Sequence, residues 1–153
     1  WRFHTVPGSP EQNRGDATME MAARTWNGEY WKTGTGGTVW NGITFDPELN
    51  RIYIGTSNGG PYDPELRSPG GGDNLYLSSI VALDAATGKV LWQTVLGGPA
   101  SMSNITYAVN GRQYVAIIAG GGVATEELHM LGILHVFFAL RVEHGFFRVR
   151  ASA

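Results

Sequence analysis

Two side chains in the Gly-rich segment 38–60 are of types that could bind a ligand. Trp40 stands at the head of one strand-like stretch, and Asn58 follows the end of the next. An indole can stack on a flat ring, and a neutral amide oxygen can ligate a hard cation without adding charge. On the residue types alone, a core aromatic and a turn residue remain the simpler interpretation.

The composition excludes several other kinds of site. The 153 residues contain no Cys, which removes disulfides, thiolate nucleophiles and thiolate zinc sites. A net charge of -2 provides no basic surface, so nucleic acid is not expected as a partner. With 42% hydrophobic and 16% charged residues, the chain is expected to form one globular domain with a core.

The elements that must position these side chains read as short strands separated by turns. The 22 Gly and 7 Pro residues punctuate apolar runs rich in Ile, Val, Thr and Tyr. Two hairpins are predicted, with turns at Asp46 to Asn50 and at Asn110-Gly111, the latter of type I′. Residues 1–37 read as a long loop with one helical turn around Met19 to Ala23. Six strands are predicted, in "GITFD", "RIYIGT", "YLSSIVALD", "KVLWQTV", "NITYAV" and "RQYVAIIAG".

The segment after Val123 has a different character. "TEELHMLGILHVFFALRVEHGFFRVR" has Glu early, Arg late and apolar residues nearly all round, which predicts a buried or partner-facing helix. Its apolar centre is short and interrupted by His135, so a core or interface helix is favoured over a membrane anchor.

A repeat-like motif occupies "ALDAATGKVLW", Ala82 to Trp92. Asp84 can accept hydrogen bonds from turn amides, Thr87-Gly88 supplies the turn, and Trp92 projects a large ring for docking on a neighbouring unit. Trp1 looks like the end of a preceding copy. A single hairpin with a core Trp is the alternative, because short motifs recur by chance.

These features resemble the tryptophan-docking motif of quinoprotein β-propellers. The stretch "GGTVWNGITFDPELNRIYIGTSNGGPYDPELRSPGGGDNLYLSSIVALDAATGK" is similar to a segment of the pyrroloquinoline-quinone (PQQ)-dependent alcohol dehydrogenases. The resemblance covers Trp1 to about Gln93. It implies that Trp40 stacks on PQQ, that Thr38 contacts PQQ, and that Asn58 binds the calcium or lanthanide ion.

The resemblance also implies an activity, the oxidation of small primary alcohols to aldehydes by hydride transfer to PQQ. Electrons would leave through a c-type cytochrome, and the location would be periplasmic, although the sequence shows no leader peptide. The family's base Asp has no counterpart here, so no catalytic residue is assigned. The acidic residues in turn-like contexts are expected to be capping or turn residues: Asp46, Asp63, Asp73 and Asp84.

The expected architecture is all-β, an incomplete propeller of about two four-stranded blades with a C-terminal helix-like segment. The chain would be a partial or internally deleted dehydrogenase, since an eight-bladed propeller needs several times this length. Its parts would be a loop-rich connection (1–37), a blade with cofactor-wall residues (38–96), a hairpin resembling the last blade (97–122) and a divergent helical tail (123–153).

Uncovered blade faces would expose Trp92 and the strands "SSIVAL" and "VAIIAG", so self-association through open blade edges is expected unless the C-terminal helix covers them. Two alternative functions stay open. One is a non-catalytic propeller scaffold or binding module. The other is a sugar- or polymer-binding module that displays Tyr30, Trp31 and Tyr62.

Overall fold

The computed structural model describes residues 1–33, 35–96, 98–100, 104–110, 112–119, 136–143 and 146–151. In this part of the chain, two four-stranded antiparallel sheets and one two-stranded sheet account for the strands. The strands are β1 Thr35–Gly36, β2 Thr44–Asp46, β3 Arg51–Gly55, β4 Gly59–Gly60, β5 Ser79–Asp84, β6 Val90–Val95, β7 Ile105–Val109, β8 Arg112–Ala119, β9 Val136–Glu143 and β10 Phe146–Ala151. The helices are α1 Pro10–Asn13, α2 Ala17–Ala23, the 3-10 helix Tyr30–Lys32 and α3 Pro64–Arg67.

The first sheet has the order β2-β3-β5-β6, and each pair of neighbours is antiparallel. The predicted turn between Asp46 and Asn50 joins β2 to β3, with Asp46 paired to Arg51. Asn50 adopts a left-handed backbone, which Asn tolerates better than most residues because its short polar side chain can bond locally. All six predicted strands are present.

Both faces of the first sheet are buried. On one face, Ile54, Val81 and Leu83 pack against α2 and the loop residues Leu75 and Tyr76. The opposite face packs against the second sheet. Successive side chains of β5 point to opposite faces of the sheet, and both faces are covered. The sequence of β5 is therefore an almost continuous apolar run.

The second sheet has the order β10-β9-β8-β7. Its residues Val115, Ile117 and Ala119 pack against Tyr53 and Trp92 of the first sheet. Trp92 is only 9% exposed, so the expected exposure of this ring and of the "SSIVAL" and "VAIIAG" strands was wrong. The neighbouring sheet, rather than a helix, covers them. The ground for self-association through those faces is therefore removed.

The predicted C-terminal helix was wrong over residues 136–143 and 146–151, which form β9 and β10. β9 pairs with β8 from Gln113↔Val142 to Ala119↔Val136, and β10 pairs with β9. An apolar run without clear alternation suits a buried strand as well as a buried helix, and the Phe and Val content of this run favours a strand. The remaining residues of that segment lie outside the described part of the chain.

The hairpin β7–β8 forms as predicted, with Val109 paired to Arg112. Asn110 has the left-handed backbone that a type I′ turn requires, whereas Gly111 lies outside the described residues. The predicted helical turn around Met19 is α2. None of the helices in the described residues is long and apolar enough to cross a bilayer.

Trp1 docks on the turn of the Ala82 to Trp92 motif. Its indole Nε1 donates to the carbonyl oxygen of Ala85 (3.1 Å). A Cβ added at Gly88 would lie 2.4 Å from a Trp1 ring atom, and Gly88 has a φ of +73°. The carboxylate of Asp84 accepts bonds from the Ala86 and Thr87 amides and the Thr87 hydroxyl, and these bonds lower its pKa.

Gly88→Ala should destabilise the fold by expelling the Trp1 ring. We expect a loss of at least about 2 kcal/mol in the free energy of unfolding, since backbone strain and a ring clash add. Gly70→Ala is the matched control, because Gly70 has a similar φ of +84° with no atom within 4 Å of an added Cβ. The control should lose only about 1 kcal/mol. Equal losses in the free energy of unfolding of the two variants, measured by urea denaturation, would contradict the docking contact.

Tyr76 should make the fold sensitive to alkaline pH. Its side chain is fully buried, its hydroxyl has no hydrogen-bond partner among the described residues, and burial raises its pKa to about 12. Above pH 10 the unfolded phenol ionises first, so stability should fall between pH 10 and 12 by up to about 2.7 kcal/mol. Tyr76→Phe should remove this part of the pH dependence, whereas Tyr62→Phe, at an exposed ring, should not. If stability depended on alkaline pH in the same way in both variants, this role of Tyr76 would be refuted.

Candidate functional site

One end of the first sheet gathers the predicted ligand-binding residues. The antiparallel order places the start of β2, the end of β3, the start of β5 and the end of β6 at the same end. Thr38 and Trp40 precede β2, and Asn58 follows β3. The Asp46 to Asn50 turn and the docking turn at Gly88 lie at the opposite end.

Two Gly-rich segments approach each other closely at this end. β1 pairs with β4, with Gly36 opposite Gly59. The amide of Gly37 donates to the Asn58 carbonyl oxygen (3.1 Å), and Thr38 and Ser57 are joined by two more bonds of 2.9 and 3.1 Å. A Cβ at Gly36 would lie 2.3 Å from the Asn58 carbonyl oxygen, and φ there is +108°. Only glycine permits this approach, which ties the two segments together.

Trp40 is anchored at its polar edge and open elsewhere. The side chain is 62% exposed, and its Nε1 donates to the carbonyl oxygen of Ala100 (3.3 Å). Asn41 donates to the same oxygen (3.0 Å), while the Ala100 amide donates to Thr56 at the end of β3 (3.2 Å). A large exposed indole held by one bond is available for stacking.

Asn58 has its amide nitrogen occupied and its amide oxygen available. Its Nδ2 donates to the carbonyl oxygen of Gly59 (3.0 Å). Within the described part of the chain, no donor bonds to Oδ1. A carboxamide held in this way presents an oxygen, the atom that a hard cation requires.

A cavity of about 320 Å³ opens beside Asn58. Its lining includes the charged side chains of Arg67 and Asp73 and the amide of Asn74, but neither Thr38 nor Trp40. The structure therefore brings the backbones of Thr38 and Asn58 together, and it places Trp40 at the same end of the sheet, outside this cavity. The Thr38 side chain is exposed.

The donor set fits part of a cation site rather than a complete one. Among the described residues, no group of three His, Cys, Asp or Glu side chains is close enough to hold a metal ion. A Ca²⁺ ion takes six to eight oxygen ligands, so Asn58 would supply one of them. The indole of Trp40 is suited to stack on the planar ring system of PQQ, but it would likewise supply only one face of such a site.

Three of the four Asp residues expected to serve in turns do so. Asp46 accepts from the Glu48 and Leu49 amides, Asp63 caps α3 by accepting from Glu65, and Asp84 holds the docking turn. Asp73 is exposed at the cavity, and its role stays a prediction. A carboxylate engaged in a turn is poorly placed to act as a general base.

The aromatic residues considered for polymer binding do not form one exposed surface. Tyr30 is 5% exposed and packs with Trp26 and Leu77, and its hydroxyl donates to the Gly8 carbonyl oxygen (3.0 Å). Trp31 is partly buried against that cluster, whereas Tyr62 is exposed. The structure thus removes Tyr30 from any such surface.

Two residues at the site were missed in the sequence. Ala100 supplies the carbonyl that holds Trp40, and Arg67 packs beneath Gly59. Neither belongs to a recognisable motif, and a backbone carbonyl has no signal in a side-chain pattern. Arg67, seven residues before a buried Asn74, could have been noticed only as an Arg in a Gly-rich loop.

The fold and the docked Trp1 define a segment of a β-propeller of the quinoprotein class. The family model "PQQ: Glucose/ethanol/alcohol dehydrogenase, beta-propeller domain" matches residues 1–97. The chain belongs to this family.

The curated relatives are longer proteins. Quinohemoprotein alcohol dehydrogenase ADH IIB of Pseudomonas putida is 56% identical over 93 residues, which is 60% of this chain and 14% of the relative. Quinohemoprotein alcohol dehydrogenase of Comamonas testosteroni is 55% identical over 94 residues, 60% of this chain and 13% of the relative. The chain thus spans about one seventh of their length.

Solved structures extend the likeness to almost the whole chain. Quinohemoprotein alcohol dehydrogenase ADHIIG from Pseudomonas putida HK5 matches with a TM-score of 0.74 at 34% identity, over 99% of this chain and 22% of that chain. A europium-containing methanol dehydrogenase matches with a TM-score of 0.52 at 27% identity, over 83% of this chain and 21% of that chain. The incomplete β-propeller fold predicted from the sequence is confirmed.

Gly36→Ala should separate the two Gly-rich segments, because the added Cβ would clash with backbone at Asn58. We expect faster hydrogen exchange at the Gly37 and Ser57 amides, by about tenfold or more, since each bond lost exposes its donor to water. Gly71→Ala is the matched control, with a φ of +87° and no atom within 4 Å of an added Cβ. Unchanged exchange in Gly36→Ala would show that the segments are not held in this way.

Proposed function

We propose that this chain carries one wall of the cofactor site of a PQQ-dependent dehydrogenase that oxidises small primary alcohols to aldehydes. The observation that supports this most is the exposed indole of Trp40, held by Ala100 at the same end of the sheet as the available oxygen of Asn58. Family membership and the names of the relatives agree with this function.

Each residue would have a distinct part. Trp40 would stack on the flat ring system, worth about 1 kcal/mol beyond the area buried. Thr38 would contact the same cofactor from the adjoining segment. Asn58 would give its Oδ1 to a calcium or lanthanide ion, and the name of the europium-containing relative is consistent with the second choice. When bound, PQQ with its cation supplies the electron acceptor for hydride transfer.

Turnover by this chain alone is not expected. Asp46, Asp63 and Asp84 accept hydrogen bonds from backbone amides in turns and at a helix start. In addition, a single neutral ligand holds a cation weakly. The hairpin within residues 97–122 corresponds in our proposal to a closing blade, and the missing base would lie in segments that these residues do not contain. Other blades of a complete propeller would supply the remaining groups.

The whole protein would work in the periplasm with a c-type cytochrome as electron acceptor. Support for the cytochrome acceptor comes from relatives whose names include quinohemoprotein and, in a Pseudomonas lupanine 17-hydroxylase, cytochrome c. The net charge of -2 gives no reason to propose nucleic acid as a partner.

A non-catalytic propeller scaffold is the second candidate. It is favoured by the packing roles of Trp1 and Trp92, which serve contacts between structural units rather than a ligand. In that case Trp40 would be an unused surface aromatic.

Titration with PQQ and Ca²⁺, followed by Trp fluorescence, separates the two candidates. We expect quenching that Trp40→Ala weakens about tenfold in apparent Kd, which corresponds to about 1.4 kcal/mol. Trp1→Ala is the matched control, because Trp1 is 61% exposed and Trp40 62%, at opposite ends of the sheet. Asn58→Ala should reduce the Ca²⁺-dependent part of the quenching, and Gln93→Ala should not. Absence of quenching in the unaltered chain would favour the scaffold.

A further inference from the structure

The side chain of Arg67 packs against the loop that follows Asn58. A Cβ at Gly59 would lie 2.6 Å from Cδ and 2.7 Å from Nε of Arg67, and 2.5 Å from a methyl group of Leu77. A Cβ added at Gly36, in β1, would meet the backbone of Asn58 and Gly59. The backbone of Asn58 and Gly59 is therefore enclosed between β1 and the Arg67 side chain.

The guanidinium of Arg67 donates hydrogen bonds to this loop and to Asn74. Nη1 donates to the carbonyl oxygens of Pro61 (2.7 Å) and Tyr62 (3.0 Å), and Nε donates to Oδ1 of Asn74 (3.2 Å). Asn74 is itself held, since its Nδ2 donates to the Thr25 carbonyl oxygen (3.1 Å). The planar fork of arginine can bond three acceptors at once in a fixed geometry, which lysine cannot reproduce.

The charge of Arg67 is not balanced by a close carboxylate. Among the described residues, no Asp or Glu oxygen lies within 4.0 Å of its guanidinium. Burial lowers its pKa, and the charge of Asp63 opposes that effect. Arg67 also lines the cavity beside Asn58. A positive charge there would repel a cation, so any favourable effect of Arg67 on cation binding must come from geometry.

We propose that Arg67 is a positioning residue, which fixes the backbone from Asn58 to Tyr62 and thereby directs the Asn58 carboxamide oxygen toward the cation of the cofactor site. This inference rests on the proposed function. Residues that orient a metal ligand typically change metal affinity 10–100-fold when they are replaced.

Two substitutions distinguish geometry from charge. Arg67→Met keeps the packing stem and removes both charge and donors, whereas Arg67→Lys keeps the charge and loses the fork. Positioning predicts an apparent Kd for Ca²⁺, titrated at saturating PQQ, about tenfold higher in Arg67→Met, with a smaller rise in Arg67→Lys. Electrostatic repulsion of the cation by Arg67 predicts tighter Ca²⁺ binding in Arg67→Met and no change in Arg67→Lys. Arg14→Met, at an exposed arginine, is the control.

A second measurement follows Asn58 without any ligand. In the unaltered chain, the side-chain amide protons of Asn58 should have chemical shifts displaced from those of an unfolded Asn and should exchange slowly, because Nδ2 bonds to Gly59. In both Arg67 variants they should move toward the shifts of an unfolded Asn and exchange faster. Urea denaturation of the same samples verifies that they are folded.

The outcomes separate the inference from the proposed function. If the unaltered chain does not bind PQQ with Ca²⁺, the proposed function fails, and the Asn58 amide signals alone decide whether Arg67 positions that side chain. Unchanged Asn58 signals in folded Arg67→Met, or tighter binding by this variant, would overturn the positioning role.

Discussion

The close approach of two glycine backbones holds together the end of the first sheet at which Trp40 and Asn58 lie. Gly36 and Gly59 lie opposite each other in β1 and β4, at a separation that no side chain would allow. Because of it, the segment that carries Thr38 and Trp40 is bonded directly to the segment that carries Asn58. Residues nearly twenty positions apart are thereby held at the same end of the sheet without any strong interaction between their side chains.

The two sheets supply the rigidity behind that approach. The first sheet is buried on both faces, by α2 with its neighbouring loop and by the second sheet. Ala100, completely buried between them, connects the end of β3 to the Trp40 indole through its amide and its carbonyl. A shift of one sheet relative to the other would therefore move the indole, which links packing between propeller units to the geometry of the site.

The sequence predicted the strands, the hairpins and the docking motif because these follow from local rules. Asp46, Asn50 and Gly88 mark turns by residue type alone, and the alternation of apolar residues marks the strands between them. The C-terminal strands were predicted as a helix because a run that is apolar on both faces lacks the hydrophobic periodicity by which a strand is distinguished from a helix. The burial of Trp92 was missed for a related reason, since its cover comes from strands far along the chain.

The site could be predicted only in part. Trp40 and Asn58 were recognisable because a resemblance gave them roles, and the structure places them at one end of the sheet. Arg67 and Ala100 act through backbone carbonyls and packing against Gly59, which leave no pattern in the sequence. Contacts of this kind depend on tertiary approach, so they are visible only once the chain is folded.

The most direct test of the account is an experimental structure of this chain with PQQ and Ca²⁺ bound. The account predicts the quinone rings in face contact with the Trp40 indole and Oδ1 of Asn58 at about 2.3–2.6 Å from the ion. PQQ bound elsewhere, or an ion whose ligands do not include Asn58, would contradict it.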